Sequence, residues 1–239
     1  MLGRWQEFAY PAQAVEAEAG AAYRHRLAVL RRQGQLDDDP GLLARARRIG
    51  AGLIRAAIDL KADAAAWEWE IHTTSSAEEL ASCTAGGKLL LGSAYMRGLN
   101  LTDGELATLI AHEVAHAIAE HQREMLSEVF SLNDALLPIS IHTAMERYDS
   151  SWSVQIRLAK LSRIQESEAD QLGMTIAYAA GWPTESMVSF YHKLVTPDAA
   201  SVLSWGYPPP SSRLAMATTF ARWFPRQARV NTGQRRPAG

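Results

Sequence analysis

The sequence predicts an α+β fold that is mainly helical and contains one small sheet. Several long stretches repeat apolar residues at helical spacing. Residues 66–93 differ, because they combine alternating apolar and polar residues, aromatic residues and a glycine pair. These features are typical of short strands and their turns. A chain of 239 residues with 47% hydrophobic content can bury a substantial core, so we expect a single domain over residues 1–239.

The N-terminal part of the chain predicts two helices followed by strands. Amphipathic helices are expected over residues 13–34 and 41–58, with a turn between them. Residues 66–74 alternate and are typical of a strand. Residues 80–93 predict two short strands about a glycine pair, which marks a hairpin or a bulge.

The C-terminal part predicts further helices. Thr102 and Glu105 form a capping box that starts a long helix over about residues 103–130. Pro138 breaks residues 131–151 into a less regular connection, a candidate cover for a cleft. Helices are then expected at about 152–180, 184–195 and 210–224, with the core over about 15–225 and a flexible basic tail over about 226–239.

The composition excludes several classes of protein. A net charge of −2 gives no indication of a nucleic-acid partner. No run of 18 or more apolar residues is present, so no transmembrane segment is expected in this chain. The single cysteine, Cys83, excludes an intrachain disulfide, and we assign it no catalytic role. The first residues lack the apolar core of a signal peptide.

The segment "HEVAH" places polar residues inside an apolar helical pattern. His112 and His116 are four residues apart, so their side chains project from one face of a helix and can grip one ion. Glu113 lies about 100° round the helix, within reach of a water held by that ion. Chance produces this HExxH pattern in roughly one chain in a hundred of this size. The helical context favours a zinc site in which Glu113 is the general base.

A catalytic zinc usually has three protein ligands, so the sequence must supply another. In "QESEADQLG", Glu166 and Asp170 are four residues apart and share a helix face, whereas Glu168 is about 200° from Glu166. We predict that Glu166 ligates zinc, that Asp170 orients His112 or His116, and that Glu168 does neither. The alternative is a solvated acidic helix face.

Two segments resemble a peptidase family. "GELATLIAHEVAHAIAEH", followed about fifty residues later by "QESEADQLGMTIAYAAGWP", is similar to the gluzincin peptidases that include the CAAX prenyl protease, HtpX, BepA and LoiP. Upstream, "WEIHTTSSAEELASCTAGGKLLLGSAYMRGLNL" resembles the strand, glycine pair and strand before the zinc helix of that family. The resemblance covers about residues 15–225, and the ExxxD pattern of the family maps onto Glu166 and Asp170.

The resemblance implies a zincin-like catalytic domain, with an HExxH helix, a second ligand-bearing helix and a small sheet whose edge strand binds substrate. It implies a zinc-dependent endopeptidase with one Zn²⁺ per chain, acting on a protein or peptide substrate in envelope protein quality control. We therefore expect a bacterial periplasmic or envelope location if a signal segment has been removed, and otherwise a cytoplasmic one. Neither the transmembrane helices of HtpX nor the tetratricopeptide domain of BepA has a counterpart in this sequence.

In zinc peptidases of this class an extended substrate pairs with the edge strand beside the zinc helix. The expected strand is "GGKLLLGS", where the glycines permit close backbone approach. An ordinary core hairpin explains the same residues equally well. The candidate substrate-binding residues are Gly86, Gly87, Lys88, Leu89 and Leu90.

The segment "YPPPSSR" departs from the family pattern. Relatives often have a His-Pro pair six residues before an arginine, whereas this chain has Tyr207 at the histidine position and Arg213 at the arginine. Tyr207 is a candidate donor to a developing oxyanion, or a residue that ligates or covers zinc at rest. A partly buried aromatic residue beside a polyproline turn is an equal alternative. Arg213 is a candidate substrate-binding residue.

Two other functions remain open. A latent or non-catalytic zinc-stabilised chaperone or scaffold would keep the fold and the histidines, but Glu113 favours catalysis. A purely structural helical protein would bind no metal. His121 lies beyond the turn of the HExxH motif, and the other histidines have no paired spacing. All are expected to be surface or packed residues: His25, His72, His121, His142 and His192.

Overall fold

The computed structural model describes residues 3–133, 138–195 and 206–233. The expected mainly helical α+β fold is confirmed over these ranges. The strands are β1 (Glu70–Thr74), β2 (Ala81–Thr84) and β3 (Lys88–Gly92), and Ala62–Ala66 form a 3₁₀ turn. The helices are α1 (Ala12–Arg32), α2 (Pro40–Leu60), α3 (Ser93–Gly98), α4 (Asp103–Ile118), α5 (His121–Ser131), α6 (Ile141–Ser150), α7 (Trp152–Ala179), α8 (Thr184–Lys193) and α9 (Pro210–Gly233).

Helix α4 is the centre of the main hydrophobic core. It contacts α2, α7, α8 and β2, so Leu106, Ile110 and Val114 are fully buried. The predicted capping box is present at its start, where the Thr102 side chain and the Glu105 carboxylate each bind the other residue's backbone N–H. Because α4 is packed against other elements on most sides, its few polar residues need specific hydrogen-bond partners.

The long helix expected over residues 103–130 is two helices. Glu120 lies between them in the left-handed conformation, with φ of 57°, and ends α4. Its carboxylate accepts hydrogen bonds from Lys61 Nζ at 2.6 Å and Arg123 at 2.6 Å. The break redirects the chain, so His121 begins α5 beside α4.

The sheet has the order β1–β3–β2, with β1 parallel and β2 antiparallel to β3. Strand β3 is therefore central and every one of its residues is buried. The prediction that Gly86, Gly87, Lys88, Leu89 and Leu90 form a substrate-binding edge strand is wrong. A strand buried on both faces gives a continuous apolar run, which is why "LLL" does not alternate.

The glycine pair forms the hairpin turn between β2 and β3. Gly86 and Gly87 have φ of 81° and 78°, which favours glycine. A Cβ atom on Gly87 would lie 2.6 Å from the ring of Trp69. Lys88 is buried, and its Nζ donates to Glu70 at 2.7 Å. The turn and the tight packing thus account for the glycines.

Three further differences concern the C-terminal half. Residues 141–150 of the expected irregular connection form α6, and residues 134–137 of it lie outside the described residues. Helix α9 extends to Gly233, into the stretch expected to be a flexible tail, and residues 234–239 lie outside the described residues. Over the described part of the chain, none of the helices has the length and hydropathy needed to cross a membrane.

Candidate metal centre

The site depends on a close approach between α4 and α7. A Cβ atom built on Gly173 of α7 would lie 2.8 Å from the Cα and backbone N of His112. Only glycine allows this separation, because any larger residue would push the two helices apart. The contact brings Glu166 and Asp170, which precede Gly173 on α7, beside the histidines of α4.

Three predicted ligand residues converge at this crossing. The Nε2 atoms of His112 and His116 are 3.1 Å apart. Oε2 of Glu166 lies 3.2 Å from Nε2 of His112, and Oε1 of Glu166 lies 3.4 Å from Nε2 of His116. Ligands about 2.0–2.1 Å from a tetrahedral zinc are themselves separated by about 3.3 Å. The donor atoms are therefore close to the spacing that zinc requires.

The environment of these atoms also fits a cation. Oε2 of Glu166 is buried and makes no hydrogen bond among the described residues, which is costly for a carboxylate without a cation. Burial lowers the pKa of His116 well below its usual value, which keeps the imidazole neutral, as a ligand must be. Burial lowers the pKa of His112, but Asp170 and Glu166 raise it to about 10. Carboxylates that hold a proton on His112 would equally attract a metal ion.

Asp170 lies behind His112 in a fully buried network. Its Oδ1 is 2.9 Å from Nδ1 of His112 and accepts from the hydroxyl of Tyr191 at 2.7 Å. Arg213 donates to both of its oxygens, at 2.8 and 2.6 Å. Burial raises the pKa of Asp170, but His112 and Arg213 outweigh that effect and lower it to about 2. The expectation that Arg213 binds substrate is wrong, because its guanidinium is committed to this buried carboxylate.

Glu113 lines the cleft next to the convergent residues. Burial raises its pKa to about 7, and the neighbouring Glu166 also raises it, while His112 lowers it. A carboxyl group with a pKa near neutrality is matched to the transfer of a proton to and from a reacting group.

Two residues beside His116, His121 and Glu168, were given no role in the site by the sequence predictions. Nδ1 of His121 lies 3.0 Å from Nδ1 of His116, and its Nε2 lies 3.3 Å from Oε2 of Glu168. His121 is 2% exposed and faces the site. His121 could have been placed at the site only if the helix break at Glu120 had been predicted. The apolar pattern continues through Glu120 and gives no sign of that break.

The centre opens into a cleft of about 520 Å³. Strand β2 lines one side, and among the described strands it pairs with β3 alone, so its other edge is unpaired. The first turns of α7 line the cleft too, where Trp152 and Ile156 are 72% and 52% exposed. The edge strand beside the site is therefore β2.

Tyr207 lies at the cleft. It lines both the cleft and a small cavity that also contacts Glu113, Tyr95 and Arg213. Burial raises the pKa of Tyr207, so its hydroxyl keeps its proton. Burial likewise raises the pKa of Tyr95, to about 12. Both phenols are thus hydrogen-bond donors near neutral pH.

Comparison with known proteins identifies a family whose model covers the residues that build this centre, and two related proteins. The model of "Peptidase family M48" matches residues 44–221. The mitochondrial metalloendopeptidase OMA1 of Arabidopsis thaliana is 29% identical over 127 residues, which are 53% of this chain and 26% of that protein. The OMA1 of Saccharomyces cerevisiae is 28% identical over 133 residues, 53% of this chain and 37% of that protein. The matches thus cover well under half of the length of these relatives.

These relatives correct the expected location. Both are named as mitochondrial enzymes. The expectation of a bacterial periplasmic or envelope location, or otherwise a cytoplasmic one, is therefore wrong. It was inferred from the resemblance to envelope members of the family, and a shared catalytic domain does not determine the compartment in which a protein works.

Proposed function

The chain belongs to peptidase family M48, a family of metalloproteases, and we propose that it is a zinc-dependent endopeptidase of the gluzincin type. The observation that carries this proposal is the convergence of His112, His116 and Glu166 at the floor of a cleft that Glu113 also lines. These three residues would hold one zinc ion per chain, and Glu113 would remain free to act on a water molecule.

When bound, zinc supplies a Lewis acid that polarises the scissile carbonyl group and lowers the pKa of water. The carboxylate of Glu113 accepts a proton from the attacking water. The water oxygen bonds to the carbonyl carbon, the C–N bond breaks, and Glu113 delivers the proton to the leaving amine nitrogen. Asp170 holds the ring of His112 in place through Nδ1.

The substrate in this proposal is a protein segment in extended conformation. It adds to the unpaired edge of β2, which takes the place of the strand expected from the sequence. The apolar side chains of Trp152 and Ile156 would contact the substrate from the other side of the cleft. Tyr207 would donate its hydroxyl proton to the developing oxyanion. A role in protein quality control stays a prediction from the resemblance.

The test combines metal analysis with a protease assay. The purified wild-type protein should contain about one zinc per chain and hydrolyse casein. Glu113→Gln should keep the zinc and lose hydrolysis, because the amide has nearly the shape of the carboxylate without its basicity.

Each contrary result has a distinct meaning. A fully active Glu113→Gln variant would reject the mechanism. Zinc without hydrolysis in the wild type would support the latent or non-catalytic scaffold instead. A wild-type protein without zinc would reject both functions.

A further inference from the structure

A connected group of polar side chains lies behind His116, and we call it the His116 support: His121, Glu168, Arg4 and Glu124. It begins with the contact between the Nδ1 atoms of His116 and His121 and continues to Glu168. Arg4, in the segment before α1, donates to both oxygens of Glu168 at 2.7 and 2.8 Å. It also donates to both oxygens of Glu124, in one case at 2.7 Å.

We propose that this support fixes the tautomer and the orientation of His116, so that residues before α1 help to hold the metal. The proposal rests on the zinc ligation by His116 proposed above. His121, Glu168 and Arg4 are positioning residues, because none of them lies among the convergent donor atoms.

The contacts determine which ring nitrogen carries the proton in His116 and in His121. Nε2 of His116 faces the other donor atoms and needs its lone pair, so the proton of this ring belongs on Nδ1. That N–H must donate to Nδ1 of His121, which can accept only if the proton of His121 is on Nε2. The carboxylate of Glu168 lies next to that Nε2 and favours this arrangement. Glu168 would therefore set both tautomers in turn, which differs from the prediction from the sequence that Glu168 neither ligates zinc nor orients a histidine.

Arg4 gives the support its rigidity. The side chains of Glu124 and Glu168 are only 4% and 15% exposed, and like charges at this depth repel unless a cation lies between them. The planar guanidinium of Arg4 contacts both carboxylates at once. Gln6 adds hydrogen bonds to the carbonyl of Ala119 at 3.0 Å and to Glu124 at 3.2 Å. The segment before α1 is thereby fixed to the start of α5.

The experiment measures the zinc dissociation constant of the full chain by competition with a chelator. His121→Leu removes the acceptor and should weaken zinc binding by about 10–100-fold. His121→Asn places an oxygen near the position of Nδ1 and should retain most of the affinity. The visible spectrum of the cobalt-substituted protein should change in the leucine variant and return toward wild type in the asparagine variant.

Glu168→Ala provides a second variant, because its side chain is not fully buried. It should weaken zinc binding in the wild-type background and have little further effect in His121→Leu, since both act through His116. Arg4→Ala should weaken binding less. Its matched control is Lys61→Ala, which removes a cation from an ion pair with Glu120 at the same helix junction, and this change should leave the zinc affinity unaltered.

The outcomes separate the two proposals. Thermal unfolding of the zinc-free variants checks that each one folds. Wild-type zinc affinity in folded Glu168→Ala or His121→Leu, or equal losses in the leucine and asparagine variants, would overturn the positioning role and leave the proposed function intact. A wild-type chain that binds no zinc would reject the proposed function, and the positioning role with it.

Discussion

The two histidines of the metal centre are supported in different ways. His112 contacts the carboxylate of Asp170, which is fully buried and held by Arg213, itself only 3% exposed. His116 contacts the ring of His121 and reaches the carboxylate of Glu168 only through it, and the Arg4 that completes this side is 25% exposed. Because solvent screens the more exposed ion pair, removal of one charged partner should destabilise the protein more on the His112 side than on the His116 side.

The largest effect on zinc content and activity is expected at Glu166, which lies next to both histidines. Glu166→Ala removes the carboxylate that approaches both histidines, so the protein should lose its zinc and its proteolytic activity. Metal analysis after gel filtration, together with the casein assay, measures both. Zinc retained by this variant would show that Glu166 is not a ligand.

Removal of the buried cation should separate the two sides by stability. Arg213→Ala removes the guanidinium that donates to both oxygens of the buried Asp170, and we expect a loss of about 3–5 kcal/mol in the free energy of unfolding. Arg4→Ala removes a more exposed ion pair and should cost clearly less. Urea unfolding of the zinc-free proteins gives both values. Equal losses would remove the distinction between the two sides.

A third test asks whether the His112 side also contributes to the chemical step. If Tyr207 donates to the oxyanion, Tyr207→Phe should lower kcat by about 10²–10³-fold with little change in zinc content. Steady-state kinetics on a peptide substrate measures this effect. Unchanged turnover would assign Tyr207 to packing alone.

The smallest effect concerns the contact that both sides share. Gly173→Ala should push α7 away from His112 and reduce stability by about 1–3 kcal/mol, with weaker zinc binding. Gly52→Ala in α2 is the matched control, because a Cβ atom there meets nothing within 4 Å. That change should instead stabilise the protein by about 0.5–1 kcal/mol. Similar unfolding curves for the two variants would contradict the close helix contact.

The sequence was informative where one helix carries both members of a pair. The spacing of His112 and His116, and of Glu166 and Asp170, is local and fixed by helical periodicity, and the structure brings these four residues together. Asp170 and Arg213 are far apart in the sequence, so their pairing was not predicted and Arg213 was wrongly expected to bind substrate.

Other features depend on contacts that periodicity does not record. His121 faces the centre only because Glu120 adopts a left-handed conformation, and Arg4 reaches it from a segment with no regular pattern. The central place of β3 depends on a parallel pairing with β1, whereas the hairpin with β2 is local. The hairpin was therefore predicted, and the edge of the sheet was not.

The length of β2 limits what the proposed enzyme can do to a folded protein. Its four residues span about 14 Å, and alternate residues of an edge strand offer about four main-chain hydrogen bonds to a substrate. At about 1 kcal/mol each these bonds fall short of the 5–15 kcal/mol that holds a typical native domain together. Strand addition therefore cannot unravel a stable protein. Cleavage would fall on segments that another event has already released, so damage or unfolding, more than residue identity, would decide which proteins are cut.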